Sequence, residues 1–163
     1  MADLKYYKLS YTYQRYHPLS QTFTLMVKGE IGYGEGYSGD PLPFFKNFYT
    51  GGVNSVRGFK AYTIGPKDSN GDPTGGNRKL LGNLELLFPF PGMGLDKSVR
   101  VSAFIDAGMV DNRWETTFLR YSTGLAALWV SPFGPLKISA ALPFRANEQD
   151  KEQPFQFTFG SVF

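Results

Sequence analysis

The chain has 163 residues, a formal charge of +3, no cysteine and a single histidine. That length allows one hydrophobic core. The absence of cysteine excludes disulfides and thiolate metal sites, and Lys and Arg are scattered singly rather than gathered into the basic patch that nucleic acid requires. Fifteen Phe, ten Tyr and nineteen Gly favour β structure with tight turns. No run of 18 apolar residues occurs, which excludes a transmembrane helix and leaves a membrane β-barrel open, because alternating strands average out in hydropathy.

Taken in chain order, period-2 alternation predicts seven strands. The first sets Tyr7, Leu9, Tyr11 and Tyr13 against Lys8, Ser10, Thr12 and Gln14, and "HPLSQ" turns the chain, with His17 beside Pro18 read as structural or solvated. The second sets Phe23, Leu25, Val27, Ile31 and Tyr33 against Thr24, Lys28 and Glu30. A long segment, 34–79, interrupts the pattern. The third strand then places Leu84, Leu86 and Phe88 opposite Asn83 and Glu85, and after "PFPGMGLDK" the fourth places Val101, Ala103, Ile105 and Ala107 opposite Arg100, Ser102, Phe104 and Asp106. The fifth carries Leu119, Tyr121, Leu125, Ala127 and Trp129 against Arg120, Ser122, Gly124 and Ala126. Past "SPFGP", Leu136, Ile138, Ala140 and Leu142 alternate with Lys137 and Ser139, and Phe155, Phe157, Phe159 and Phe163 alternate with Gln156, Thr158 and Gly160.

Several strands reach the roughly 9–11 residues that a tilted strand needs to cross a bilayer. The polar face, with Lys28, Glu30, Glu85, Arg100, Asp106, Arg120 and Lys137 among small Ser, Thr and Gly, suits the wet lumen of a barrel whose apolar face meets lipid. A soluble sheet has the same period, so alternation leaves both readings open. The ending, "PFQFTFGSVF", favours the membrane: it resembles the C-terminal signal of bacterial outer-membrane barrels, carried by Phe155, Phe157, Phe159 and Phe163.

Within the long segment, "NFYTGGVNSVRGFKAYTIGP" (47–66) resembles the loop of the BamA family of outer-membrane protein assembly factors. The signature is Val56, Arg57, Gly58 and Phe59, with paired glycines before it and "TIGP" after it. The likeness extends over the whole chain but over only part of the family, which has POTRA repeats ahead of a sixteen-stranded barrel; no POTRA domain is present here. The resemblance implies an all-β fold, the C-terminal portion of an antiparallel transmembrane β-barrel spanning 1–163, with the loop between its second and third strands. "MADLKYYKLS" has no apolar leader region, so the expectation is an excerpt with Met1 as an added start.

A loop arginine folded into a lumen needs carboxylates and an aromatic face. Glu85, Phe104 and Asp106 stand on the polar face of the next two strands. Read from residues alone, Arg57 is more simply a solvated loop residue and Asp106 an ordinary lumen charge; the resemblance implies that Arg57 pairs with Glu85 and Asp106 and stacks on Phe104. Gly58 would permit a tight turn and Phe59 would anchor the tip.

The implied function is non-enzymatic: folding and inserting β-barrel proteins into the outer membrane of a Gram-negative bacterium, without ATP. It would act through a lateral seam of which Phe155 to Phe163 form the last strand, with Gly160 easing its bending. No cofactor or metal is expected, and "SNGDPTGG" lacks the spacing of a calcium loop. Expected partners are outer-membrane lipids or detergent, substrate β-barrel proteins and, in the full-length protein, accessory assembly lipoproteins; nucleic acid is not expected. Seven strands leave two open edges, which an eighth strand from the long segment or a homodimer of the fragment would satisfy. The alternatives are a polypeptide-secretion transporter or passive pore of the same superfamily, and a soluble β-sandwich or lipocalin-like binding protein.

Overall fold

A computed structural model of the chain describes residues 5–37, 42–52, 55–89, 98–114, 119–145 and 151–159. Its strands, in chain order, are β1 (Tyr6–Pro18), β2 (Thr24–Gly36), β3 (Gly58–Phe59), β4 (Arg78–Pro89), β5 (Val99–Asp111), β6 (Arg120–Ser131), β7 (Gly134–Arg145), β8 (Glu152–Gln153) and β9 (Phe155–Phe159). Seven of them form one antiparallel sheet in the order β1-β2-β4-β5-β6-β7-β9. This meander follows from the sequence, because each apolar-polar run is joined to the next by a connection that reverses the chain. At β6–β7 the reversal is tight: the Ser131 hydroxyl donates to the Gly134 carbonyl (2.6 Å) and accepts from the Phe133 N–H (3.2 Å).

Six of the seven strands have 12 or 13 residues, longer than the bilayer-crossing minimum. Pairing continues as long as the neighbouring strand supplies donors and acceptors. For the same reason the long segment is narrower than the sequence pattern suggested, at 37–77, since Gly34, Glu35 and Gly36 still pair with Lys8, Tyr7 and Tyr6. The segment contributes no eighth strand to the large sheet among the described residues; its β3 pairs instead with β8, an element the sequence pattern did not reveal. Gly160 and Phe163 lie outside the described residues, so the last strand is seen as Phe155–Phe159.

The two faces of the sheet are inverted relative to a soluble protein. Leu84, Ile105, Leu125, Trp129, Leu142, Phe155, Phe157 and Phe159 are exposed, while Asn83, Glu85, Ser102, Asp106, Arg120, Ser122, Ser139 and Gln156 are buried. Neighbours on β5 make the point: Ile105 is 52% exposed and Asp106 is 0%. Leaving a large apolar side chain in water forgoes roughly 1.5–3 kcal/mol each, and the outer face carries many of them. Lipid is the solvent in which that face is stable, as on a membrane barrel.

The inner face is covered by the long segment. Val56, Phe59 and Ile64 from the segment pack with Leu81 of β4 into one fully buried cluster, and Phe104, Ala126 and Ala141 form a second across β5, β6 and β7. Close approach needs Gly108 on β5, where an added Cβ would lie 2.5 Å from a Val56 methyl.

Leu125→Arg, on the outer face of β6, is expected to destabilise the folded protein in lipid vesicles by about 2–4 kcal/mol if it sits near the bilayer midplane. Urea unfolding followed by gel mobility measures this. Unchanged stability, together with folding in the absence of detergent, would place the outer face in water instead.

Candidate functional site

The segment that covers the inner face is held first by its own backbone. Ser55 N–H donates to the Gly52 carbonyl (3.1 Å), Gly52 N–H to the Val56 carbonyl (3.2 Å) and Gly51 N–H to the Ser55 hydroxyl (2.8 Å). Further on, Ile64 N–H reaches the Thr50 carbonyl (3.2 Å), and the Thr63 hydroxyl donates to the Lys60 carbonyl (2.6 Å). Lys67 closes this end by donating from Nζ to the carbonyls of Thr63 and Gly65. The result is a folded-back loop whose tip, Val56 to Phe59, points into the sheet.

Strand register assembles the receptor for that tip. Asn83 of β4 lies opposite Asp106 of β5, and Glu85 lies opposite Phe104. Because side chains alternate, all four project from the same inner face. Phe104 in turn lies opposite Gly124 of β6, where an added Cβ would run into the Ala140 carbonyl of β7.

Arg57 enters this quartet and is itself only 3% exposed. Its Nε donates to Asp106 Oδ2 (2.7 Å) and its Nη2 to Asp106 Oδ1 (2.8 Å), a two-point fork on one carboxylate. The Arg57 backbone N–H adds a third bond to Oδ2 (3.0 Å). Nη1 lies 3.2 Å from Glu85 Oε1, an ion-pair contact without the angle of a hydrogen bond. The guanidinium carbon sits 3.6 Å from the Phe104 ring centroid, within cation–π range. Burial disfavours the Arg57 charge, but hydrogen bonding and Coulombic attraction from Asp106, with Glu85 behind it, outweigh that and hold its pKa above the ordinary arginine value.

Two residues orient the carboxylates. Asn83 Nδ2 donates to Asp106 Oδ1 (2.8 Å) and to the Ser55 carbonyl (2.7 Å), so it grips both receptor and loop. The Ser102 hydroxyl donates to Glu85 Oε1 (2.5 Å). Both stand on the polar face that alternation predicts, each two residues from a named site residue; their role was hidden because loop-to-strand contact has no sequence spacing. The residues that follow Arg57 are held from elsewhere. Gly58 N–H donates to Gln156 Oε1 (3.2 Å) and Gln156 Nε2 donates to the Phe59 carbonyl (2.6 Å). Gly58 has φ +93° and lies flat on β7, where an added Cβ would come within 3.1 Å of the Ala141 methyl. Phe59 is completely buried.

The structure therefore brings Val56, Arg57, Gly58, Phe59, Glu85, Phe104 and Asp106 into one inner-face site. Phe155, Phe157 and Phe159 stand apart from it on the outer face. Beside the clamp lies a cavity of about 600 Å³ whose lining includes Lys28, Arg57, Glu85, Arg100 and Lys137. Its charged residues are mostly basic. The arrangement binds a loop.

Comparison with known proteins gives the same picture from a different direction. The model of the Omp85 superfamily domain matches residues 1–163. Outer membrane protein assembly factor BamA of Neisseria meningitidis serogroup B is 41% identical over 194 residues, covering 99% of this chain and 24% of that protein. The sorting assembly machinery 50 kDa subunit of Saccharomyces cerevisiae is 27% identical over 157 residues, covering 87% of this chain and 32% of that protein. Among solved structures, BamA from Haemophilus ducreyi lacking POTRA domains 1-3 matches with a TM-score of 0.84 at 32% identity, covering 95% of this chain and 35% of that one. The chain thus spans about a quarter of the length of the Neisseria protein.

Removing one member of a buried charge pair typically costs about 3–5 kcal/mol, because the remaining charge is left without a partner. Arg57→Ala is accordingly expected to lower the melting temperature in detergent and to open 55–67 to protease. An unchanged melt and an unchanged cleavage pattern would show that the clamp does not hold the loop. Gly58→Ala meets both a left-handed φ and the β7 surface, and is expected to loosen the same segment by about 1–3 kcal/mol. Limited proteolysis compared with Gly71→Ala checks it: Gly71 shares a left-handed φ (+82°) but nothing crowds it, so the extra loosening at Gly58 reads the β7 contact.

Proposed function

Because the chain belongs to the Omp85 superfamily, we propose that it is the part of an outer-membrane assembly factor whose barrel folds and inserts other β-barrel proteins. It is a segment of a bacterial outer-membrane β-barrel, with its apolar face to lipid. The observation that carries the proposal is the docking of Arg57 on Asp106, Glu85 and Phe104, which seats a loop across the inner face of a lipid-facing sheet. A passive pore needs an open lumen, and a loop packed into that face works against one.

The work of insertion comes from the barrel rather than from a nucleotide. Among the described residues β9 pairs with β7 alone and forms one edge of the sheet, so its other side presents backbone donors and acceptors. An unpaired edge inside a bilayer costs several kcal/mol per polar group, in order of magnitude. An incoming strand that pairs with such an edge removes that penalty and is templated by it, which is strand addition carried out in lipid. The aromatic side chains of Phe155, Phe157 and Phe159 face outward and keep this edge in the membrane. Substrate barrels are the partners of this edge; accessory lipoproteins attach to parts of the protein beyond this segment.

Reconstituting the intact protein into lipid vesicles and adding a urea-unfolded outer-membrane barrel tests the proposal. Substrate folding, read as the heat-modifiable shift on gels, is expected to be faster than in empty vesicles and to need no nucleotide. Folding at the empty-vesicle rate, with steady passage of polypeptide or solute instead, would favour a transporter.

A further inference from the structure

We propose that Gln156 ties the loop signature to the last strand, so that docking of Arg57 and ordering of β9 are energetically coupled. The link is built from three consecutive residues. Arg57 is fixed to β4 and β5, whereas the backbone of the next two residues is fixed to β9: Gly58 N–H to Gln156 Oε1 (3.2 Å) and Phe59 carbonyl to Gln156 Nε2 (2.6 Å). Gln156 is 6% exposed and spends both ends of its amide on the loop, as a peptide unit of a neighbouring strand would.

The root of β9 is tied to the same place. β8 pairs with β3, matching Gly58 with Gln153 and Phe59 with Glu152, and Lys60 N–H donates to the Lys151 carbonyl (2.8 Å). In the sheet, β9 lies three strands from β5, about 14 Å at the usual strand spacing. The loop is therefore a tie bar across the inner face, anchored by charge at one end and by amide and backbone bonds at the other. Among the described residues β9 pairs with β7 over five positions, Phe155 to Phe159, and its outward Phe side chains are more than half exposed. The loop then supplies a large share of what orders this edge. Coupling of this kind is reciprocal: whatever loosens Arg57 loosens β9, and whatever displaces β9 loosens the loop. The consequence for strand exchange at this edge rests on the assembly reading above; the coupling does not.

Amide hydrogen exchange on the intact protein in lipid nanodiscs tests it without any substrate. Arg57→Ala is expected to speed exchange about tenfold in 155–159, the scale of one net buried hydrogen bond. The speeding in 155–159 should exceed that in 120–131, which a general loss of stability would not allow. Gln156→Leu should speed exchange in 55–60 by a similar factor, and the double variant should exchange in 155–159 no faster than Arg57→Ala alone. Gln156→Glu, which keeps the acceptor for Gly58 and loses the donor to Phe59, should fall between. Wild-type protection of 155–159 in Arg57→Ala, or additive effects in the double variant, would overturn the coupling. Should Arg57→Ala fail to fold, Gln156→Leu alone decides: unchanged exchange in 55–60 overturns it.

Discussion

A permanent positive charge buried against the inside of a sheet is the constraint around which this structure is arranged. A guanidinium removed from water requires compensation from groups already in place. Asp106 accepts three bonds from Arg57, Glu85 adds the second negative charge, and Phe104 supplies a ring face. Those three residues are spread over two strands, so the clamp exists only when β4 and β5 pair in the register that sets Asn83 opposite Asp106 and Glu85 opposite Phe104. A slip of one residue between β4 and β5 would turn one strand's pair outward, into lipid, and split the quartet. Burying the arginine and fixing the register are thus one event seen from two sides.

The same arrangement explains where the core is. A sheet that faces lipid on one side has nothing to pack there, and its specific protein–protein packing must lie on the inner, polar face. That face is not oily enough to collapse on its own. The long segment supplies Val56, Phe59 and Ile64, which meet Leu81 in a dry cluster beside the charged clamp. Apolar packing and a paired charge therefore hold the same loop, the one by area and the other by direction. Gly58 and Gly108 matter because they let the loop backbone and Val56 approach the sheet closely.

Holding the loop at both ends gives the site a functional character that neither half has alone. On the assembly reading, strand addition at the β9 edge requires that edge to be presented in an ordered form and yet be able to part from its partner. The amide of Gln156 and the short β3–β8 pairing order it from the inside, leaving its outward side chains and free backbone for the membrane. The mostly basic cavity beside Arg57 lies on this inner face as well, away from the lipid.

Much of this was legible in the sequence, and the reason is periodicity. Side chains alternate every residue along a strand, so Ile105 and Asp106 could be assigned to opposite faces from their positions alone, and the seven alternating runs gave the seven strands of the sheet in order. Arg57, Glu85, Phe104 and Asp106 were joined by the family resemblance of the loop, since residues alone also allow Arg57 to be a solvated loop residue. Asn83, Ser102 and Gln156 could be placed on the polar face but not given roles, since a polar side chain on a lumen face is ordinarily just solvated. The pairing of β3 with β8 had no signal at all: two residues are too short for a period, and their partners lie more than 90 positions away. The sequence by itself determined the strands and their two faces, because those follow from local alternation. Only the tertiary structure decided that one glutamine on the last strand closes the far end of the loop, because that contact depends on how the chain returns across the sheet.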